Sequence, residues 1–175
     1  MIRKVVLVAM LLAPLALRAQ TSGVEAVFDK YNGREGYTTV TLTKSMFELF
    51  SAVADDKDDK EFKDITKRLS GIRILSCDCK GGQKAALEFY REMAKSVSTS
   101  QYQDLMDIND GGDQVKFVIR KQGDRITELV MVAGGSDACL ISLQGDIDLK
   151  QVSKLSRSMN IKGMDHLSSV NQKRK

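Results

Sequence analysis

The spacing of hydrophobic positions changes near Gln101, from helical repeats interrupted by short strands to regular alternation. Before that residue, apolar side chains recur every three or four positions in several segments, which is typical of amphipathic helices. Two segments rich in β-branched or apolar residues interrupt these repeats, Tyr37–Thr43 and residues 72–77, and their patterns predict strands. The first part of the chain therefore predicts helices alternating with strands.

Capping residues predict where the first two helices begin. Ser22 and Glu25 have the spacing of a capping box, in which the serine accepts a hydrogen bond from a free helix N–H and the glutamate reaches back. This helix is expected to end near residues 32–33. Thr43 is placed to cap a second helix, whose apolar positions predict one buried face: Met46, Phe47, Phe50 and Val53.

Two more helices are predicted, one on either side of the second strand. A charged break precedes Phe62, Ile65 and Leu69, and the spacing of these three residues predicts a helix that stops at Gly71. After the strand, a glycine turn leads into a longer helix. Its apolar face is predicted to comprise Ala86, Phe89, Tyr90, Met93 and Val97.

Period-two alternation predicts a run of strands after Gln101. Turns rich in glycine and aspartate separate these strands, which is typical of hairpin connections. The predicted strands span residues 102–108, 114–121, 125–133 and 138–144. Phe117 and Ile119 alternate with Lys116, so this meander is predicted to have one buried face and one solvated face.

The predicted elements together define a fold class. A last amphipathic helix is predicted from Asp148, with Gln151 at capping spacing, and the residues after about 164 are expected to fray. The whole pattern predicts an α+β fold with a mainly antiparallel sheet, a C-terminal four-strand meander and helices packed on one face. The other face of the sheet is expected to be partly exposed.

The N-terminal segment has the organisation of a secretory signal peptide. Arg3 and Lys4 precede an apolar run from Val5 to Leu17, and Ala19 offers a small residue for the signal peptidase. The apolar run is shorter than the roughly 20 residues that a membrane-spanning helix needs. The segment is therefore expected to direct export and to be removed.

Cleavage leaves a mature chain of different character. Residues 1–19 carry 3 of the 27 basic residues, so residues 20–175 hold 24 basic and 23 acidic ones and a net charge of +1. A chain this close to neutrality has no general attraction for nucleic acid or for an anionic membrane. No cysteine lies directly after the cleavage point to carry a lipid, and no second apolar stretch has spanning length. We expect a single soluble domain, periplasmic or extracellular, with no membrane anchor after cleavage.

Three cysteines form the candidate site of this exported chain. Cys77 and Cys79 form a C-x-C pair at the end of a predicted strand, and Cys139 lies in a later strand. A bond from either member of the pair to Cys139 would tie two strands together. A bond between Cys77 and Cys79 would instead close a small, easily reduced ring suited to redox work. A third interpretation is that all three thiols pack as small hydrophobes, and the sequence leaves these alternatives open.

The sequence lacks residues that calcium binding, serine-triad catalysis and zinc binding require. Asp107 begins a calcium-like loop, but Val118 stands where the bidentate glutamate is required, so a hairpin turn is predicted there. The single histidine, His166, lies in the unpatterned tail, which disfavours a serine triad and a zinc site. Glu128 lies within an apolar strand and is predicted to face outward because strands alternate. We expect no metal, no cofactor and no catalytic residue.

Two stretches of the chain carry a family resemblance: residues 70–76, and the long run from Tyr102 through residues 128–130 to Leu149. They resemble a family of small exported bacterial proteins, the domain of unknown function 4252. The resemblance implies the same fold and the same exported location. It implies no site residues, because the shared motifs are strands and turns and the family has no established activity. Some relatives are encoded near envelope-signalling sigma and anti-sigma factors, which implies a role in the cell envelope.

These observations favour one function and leave a rival. The leading hypothesis is a non-catalytic envelope protein that engages an unidentified protein partner through its exposed sheet face or a strand edge. The rival is a thiol-active protein that uses Cys77 and Cys79 for disulfide exchange or metal transfer. An enzyme with carboxylate chemistry comes third. The pattern does not predict the oligomeric state.

Overall fold

The computed structural model describes six ranges of the chain: residues 23–53, 63–64, 66–80, 82–110, 113–135 and 138–149. Several sequence predictions lie outside these ranges, namely the signal peptide, the charged break, and the last helix and frayed tail beyond Leu149.

Three helices and six strands make up the described part of the chain. The helices are α1 (Gly23–Tyr31), α2 (Lys44–Val53) and α3 (Gly82–Val97). The strands are β1 (Tyr37–Thr43), β2 (Leu69–Cys77), β3 (Gln103–Asp110), β4 (Asp113–Gln122), β5 (Arg125–Ala133) and β6 (Cys139–Ile147).

The six strands form one sheet in the order β1-β2-β6-β5-β4-β3, and every neighbouring pair is antiparallel. Strands β3 to β6 are neighbours in chain order, which confirms the predicted α+β class and its C-terminal meander. Strand β2 joins the first part of the chain to this meander by pairing with β6. Gly145 permits their close approach, because a β-carbon there would overlap the carbonyl oxygen of Arg68.

The predicted helix through Leu69 is wrong at its C-terminal end. Leu69 begins β2, and Gly71 lies inside that strand, where it pairs with Thr43 on one side and Gln144 on the other. A register shift between residues 69 and 71 places Leu69 and Ile72 in the same buried cluster. Pairing with two neighbouring strands therefore overrides the local helical spacing, a contribution that spacing alone does not reveal.

Buried side chains form one cluster on each face of the sheet. On one face, α1 and α3 contribute Phe28 and Phe89 to a cluster that includes Val130. On the other face, Phe47 of α2 joins a cluster that includes Met131. We call these the helix face and the Phe47 face. The prediction of helices on one face thus holds for α1 and α3, whereas α2 places Phe47 on the other.

The solvated face predicted for the meander is the helix face. Lys116 and Arg120 lie on the same side of β4 as Val118, which is completely buried in the helix-face cluster. The two basic side chains flank the covered centre of the sheet and are themselves partly covered, since the Lys116 side chain is 13% exposed and the Arg120 side chain 36%. The lysine and the arginine on this side of β4 therefore indicate the margins of a face whose centre is covered, and not a face open to solvent.

Helix α2 buries less of its apolar surface than its pattern predicts. Phe47 is buried, but Met46 and Phe50, four residues apart on one side of the helix, are exposed. Leu49, on that same side, is more exposed still. Apolar surface is thus left open on the Phe47 face of the molecule.

Glu128 is buried, which corrects the prediction that it faces outward. Its carboxylate accepts hydrogen bonds from the hydroxyls of Tyr102 at 2.9 Å and Ser142 at 2.7 Å, and it binds the Arg120 guanidinium at 2.8 Å. Strand β5 is covered on both faces at this point, so alternation offers the side chain no solvated direction. The buried carboxylate is tolerated because neighbouring side chains provide two hydrogen bonds and a counter-charge.

Replacing Glu128 tests how much the fold depends on this network. We expect Glu128→Ala to lower the free energy of unfolding by about 2–4 kcal/mol, since it removes the acceptor of two hydroxyls and the counter-charge of Arg120. Urea denaturation followed by circular dichroism measures the change. The matched control is Glu88→Ala, which removes an exposed carboxylate from α3. Equal losses in the two variants would contradict a structural role for Glu128.

Candidate functional site

The C-x-C segment lies at the junction between strand β2 and helix α3. Cys77 is the last residue of β2, and α3 begins at Gly82. Cys77 and Cys79 are joined by a disulfide, with their Cα atoms 5.0 Å apart. Of the alternatives that the sequence left open, the structure therefore has the small ring.

Cys139 takes no part in this disulfide, for a reason that the sheet register makes clear. It is the first residue of β6 and pairs with Ser76 of β2. Paired residues share a face and neighbours along a strand alternate, so Cys139 and Cys77 lie on opposite faces. Cys139 accordingly packs against the Phe47-face cluster, whereas Cys77 and Cys79 pack against the helix-face cluster. In this arrangement neither Cys77 nor Cys79 is bonded to Cys139.

Backbone hydrogen bonds hold the C-x-C segment from three directions. The N–H of Asp78 donates to the carbonyl of Gly36 at 2.8 Å, and the N–H of Cys77 donates to that of Ala138 at 3.0 Å. The N–H of Gly82 donates to the carbonyl of Cys79 at 2.8 Å. The segment is thus fixed to the turn before β1, to the start of β6 and to the first residue of α3.

Aromatic packing supports the neighbouring end of β1. Tyr37, the residue paired with Cys77, lies with its ring centroid 4.4 Å from that of Tyr31 and 5.3 Å from that of Phe89. The Tyr31 hydroxyl donates to Glu92 of α3 at 2.6 Å. Burial, together with this hydrogen bond, raises the pKa of Tyr31. Helices α1 and α3 are thereby locked to each other beside the disulfide.

Glu92 is held ionised in the same contact. Burial by itself raises the pKa of Glu92, but hydrogen bonds from Lys30 and Tyr31 outweigh burial, so its pKa falls below the ordinary 4.5. The charged carboxylate therefore helps to bind α1 to α3 at neutral pH.

All three cysteines line one cleft of about 960 Å³ at this end of the sheet. Residues from both faces reach it, because it extends around the strand ends. Its other lining residues are mainly small or polar and include Thr38, Ser76, Asp78, Gln83, Asp113 and Ala138. A smaller cleft of about 270 Å³ also contains Cys77 and Cys79, and Glu35, Tyr37 and Lys80 contribute to its walls. The disulfide therefore borders two openings, and both of its cysteines are partly exposed.

Cys79 lies close in sequence to the N-terminus of α3. It lies three residues before Gly82, where α3 begins a run of 16 residues. The first turn of α3 has no acidic residue. The partial positive charge at the N-terminus of α3 is therefore not offset by a carboxylate within that turn.

The structure brings together residues that the sequence did not connect. Cys77 and Cys79 were singled out by their spacing, but Thr38, Gln83 and Asp113 come from distant segments and have no motif in common. Asp107, the start of the calcium-like loop, instead accepts a hydrogen bond from Lys116 across the β3–β4 pair. Strands β3 and β4 pair up to residues 110 and 113, as a hairpin requires. Within the described ranges, no group of three or more possible ligands could hold a metal ion.

The fold and this site define a small α+β protein with a C-x-C disulfide at the end of an antiparallel sheet. The chain belongs to the family described as Domain of unknown function (DUF4252), which matches residues 31–155 and so spans the whole site. This membership confirms the resemblance found in the sequence. Comparisons with curated proteins and with solved structures gave no match. Across the described ranges, the helices are all too short or too polar to cross a bilayer.

The disulfide pairing can be checked by thiol labelling of the protein purified from an oxidising compartment. We expect alkylation without reduction to label Cys139 alone and alkylation after reduction to label all three cysteines. Peptide mapping should place Cys77 and Cys79 in one crosslinked fragment. A crosslink that contains Cys139 would contradict the pairing and the opposite-face geometry behind it.

Proposed function

We propose that the chain is an exported protein of the cell envelope that carries out thiol–disulfide exchange through Cys77 and Cys79. The observation that carries this proposal is the Cys77–Cys79 disulfide, which borders an open cleft and directly precedes the N-terminus of α3. Export is supported by the signal-like segment at residues 1–19. An oxidising location outside the cytoplasm is also where such a disulfide persists.

The small size of the ring argues against a purely structural role. A disulfide stabilises mainly by restricting the unfolded chain, and a loop of three residues yields only about 1.5 kcal/mol by that relation. The backbone hydrogen bonds of Asp78, Cys77 and Gly82 already fix the segment without the sulfur atoms. The disulfide therefore adds little stability beyond that provided by these hydrogen bonds.

The exchange balances with a protein or peptide dithiol as the second reactant. One substrate thiolate attacks the sulfur of Cys77, the bond between Cys77 and Cys79 breaks, and its electron pair leaves on Cys79. The second substrate thiolate attacks the substrate sulfur of this mixed disulfide and releases Cys77. Two protons pass from the substrate thiols to the cysteine pair. The substrate is oxidised to a disulfide, and the pair gains two electrons and becomes a dithiol.

The two cysteines have different roles in this sequence. Cys79 is the better leaving group, because the N-terminus of α3 favours its negative charge. Cys77 is then the sulfur attacked by the substrate and the site of the mixed disulfide. The small and polar lining of the cleft accommodates an extended peptide more readily than a bulky apolar ligand.

A reduced synthetic peptide with two cysteines tests the proposal. We expect the oxidised protein to convert one equivalent of peptide to its disulfide about tenfold or more faster than oxidised glutathione does. Cys77→Ser and Cys79→Ser should abolish the conversion. Cys139→Ser is the matched control, since this thiol lines the same cleft outside the disulfide, and it should retain the wild-type rate.

Two outcomes would overturn the proposal. One is a rate no greater than that of oxidised glutathione. The other is activity that disappears with Cys139 while Cys77 and Cys79 prove dispensable. Circular dichroism of each variant shows whether a lost rate reflects chemistry or unfolding.

A specific observation favours a second function, that of a non-catalytic module for binding an envelope protein. Val40 of β1 and three residues of α2 are large apolar side chains left exposed on the Phe47 face: Met46, Leu49 and Phe50. Exposed apolar groups in one region are typical of interaction surfaces. This function does not require the disulfide, so binding that survives replacement of both Cys77 and Cys79 would distinguish it.

A further inference from the structure

Strand β1 is an edge strand that carries no protection against pairing. It is an outer strand of the sheet, and among the described residues no strand pairs with its outer side. From Thr38 to Thr43 it contains threonine, valine and leucine, with no charge and no proline. Natural edges usually carry such protection, because an open edge pairs readily with another chain.

The opposite edge of the sheet is protected in the usual way. Strand β3 carries Asp104, Asp107 and Asp110. Lys116 of the adjacent strand binds the first two, at 3.0 Å and 3.5 Å, and leaves an excess of negative charge along this edge. A second strand placed against β3 would have to desolvate these carboxylates. The two edges therefore differ, and within the described ranges β1 is the one left open to another strand.

Apolar side chains extend the β1 edge onto helix α2. Val40 shares the Phe47 face with Leu42, and it is 40% exposed. Helix α2 follows β1 directly, and it exposes Met46 by 39%, Leu49 by 59% and Phe50 by 41%. An occupant of the β1 edge would therefore meet backbone groups and apolar side chains together.

We propose that the occupant is a second copy of this chain, with β1 pairing antiparallel to β1 across a two-fold axis at Val40. Thr38 of one copy then pairs with Leu42 of the other, and Thr39 pairs with Thr41. The two six-stranded sheets become one continuous sheet of twelve strands. The inference is independent of thiol exchange and specifies what covers the surface of β1 and α2.

Charge and symmetry favour a second copy over another occupant. Because β1 is neutral from Thr38 to Thr43, it is compatible with a copy of itself: the pairing desolvates no charge, and neither strand needs an opposite charge in its partner. The two-fold arrangement uses both open edges at once, so it closes at two copies instead of growing into a fibre. Antiparallel pairing also keeps the two Phe47 faces on the same side, where the exposed residues of both α2 helices flank the axis.

The size of the interface sets the expected affinity. Strands alone form a marginal contact in water. Strand β1 and helix α2 together supply at most 17 residues per copy, which is below the roughly 20–30 residues of a standard interface. The dimer is therefore expected to be weak, so that its population depends on protein concentration.

Sedimentation velocity across a range of protein concentrations tests the association. The wild-type chain should pass from monomer to dimer between about 0.5 and 100 μM. Val40→Lys places two ammonium groups opposite each other at the axis and should weaken the dimer about tenfold or more. Leu87→Lys is the matched control, because Leu87 is 38% exposed and belongs to α3, which takes no part in the proposed interface, and it should associate like wild type.

Crosslinking tests the register. In a chain whose own cysteines are replaced by serine, Val40→Cys should form a disulfide-linked dimer on mild oxidation, because directly opposed residues have β-carbons about 5 Å apart. Leu87→Cys in the same background should not. Circular dichroism confirms that each variant is folded.

Three results would overturn the inference. They are a wild-type chain that stays monomeric throughout, a dimer that Val40→Lys leaves intact, and a dimer in which Val40→Cys fails to crosslink. If the Val40→Lys variant oxidises the dithiol peptide at the wild-type rate, a failure of the dimer inference does not count against the exchange function.

Discussion

The pairing of β2 with β6 is the contact on which the rest of the structure depends. It joins the helices and strands of the first part of the chain to the C-terminal meander, and it makes one sheet of six strands. Its register decides the chemistry as well. Because Ser76 pairs with Cys139, Cys77 emerges on the opposite face and has Cys79 as its partner. Gly145 is part of the same contact, since no side chain fits beneath Arg68 at that point.

Packing on both faces at the centre of the sheet explains why the polar residues there bind to one another. Both faces of β5 are packed, so Glu128 has no route to water and depends on Arg120, Tyr102 and Ser142. The margins of the same sheet are treated differently. Strand β3 is charged along its edge, whereas β1 is neutral and lies beside exposed apolar groups. The polar residues that protect one edge of the sheet thus have no counterpart on the other.

Much of the fold could be predicted from local patterns. The bounds of β1 and β5 agree with the alternation of their residues, and α3 follows its apolar repeat. The failures arise where distant contacts decide. Leu69 has helical spacing but lies in a strand, because two neighbouring strands pair there. The local pattern predicts that Glu128 faces solvent. It is buried instead, because the register of β4 and β5 places Arg120 opposite it.

The candidate site divides in the same way. The cysteines could be identified from spacing and from the expected export, but their pairing could not, because it depends on the face to which each side chain points. The cleft could not be predicted either, since residues as distant as Thr38 and Asp113 line it. Short-range signals identify reactive residues, and only the fold shows which of them meet.

The reduction potential of the Cys77–Cys79 pair tests the central claim most directly. The oxidised protein would be equilibrated with glutathione buffers of graded composition, and the reduced fraction would be measured by alkylation and mass. A disulfide used for exchange should equilibrate within the range of about −270 to −120 mV. A potential below about −300 mV, typical of a structural disulfide that resists the glutathione pool, would contradict the account.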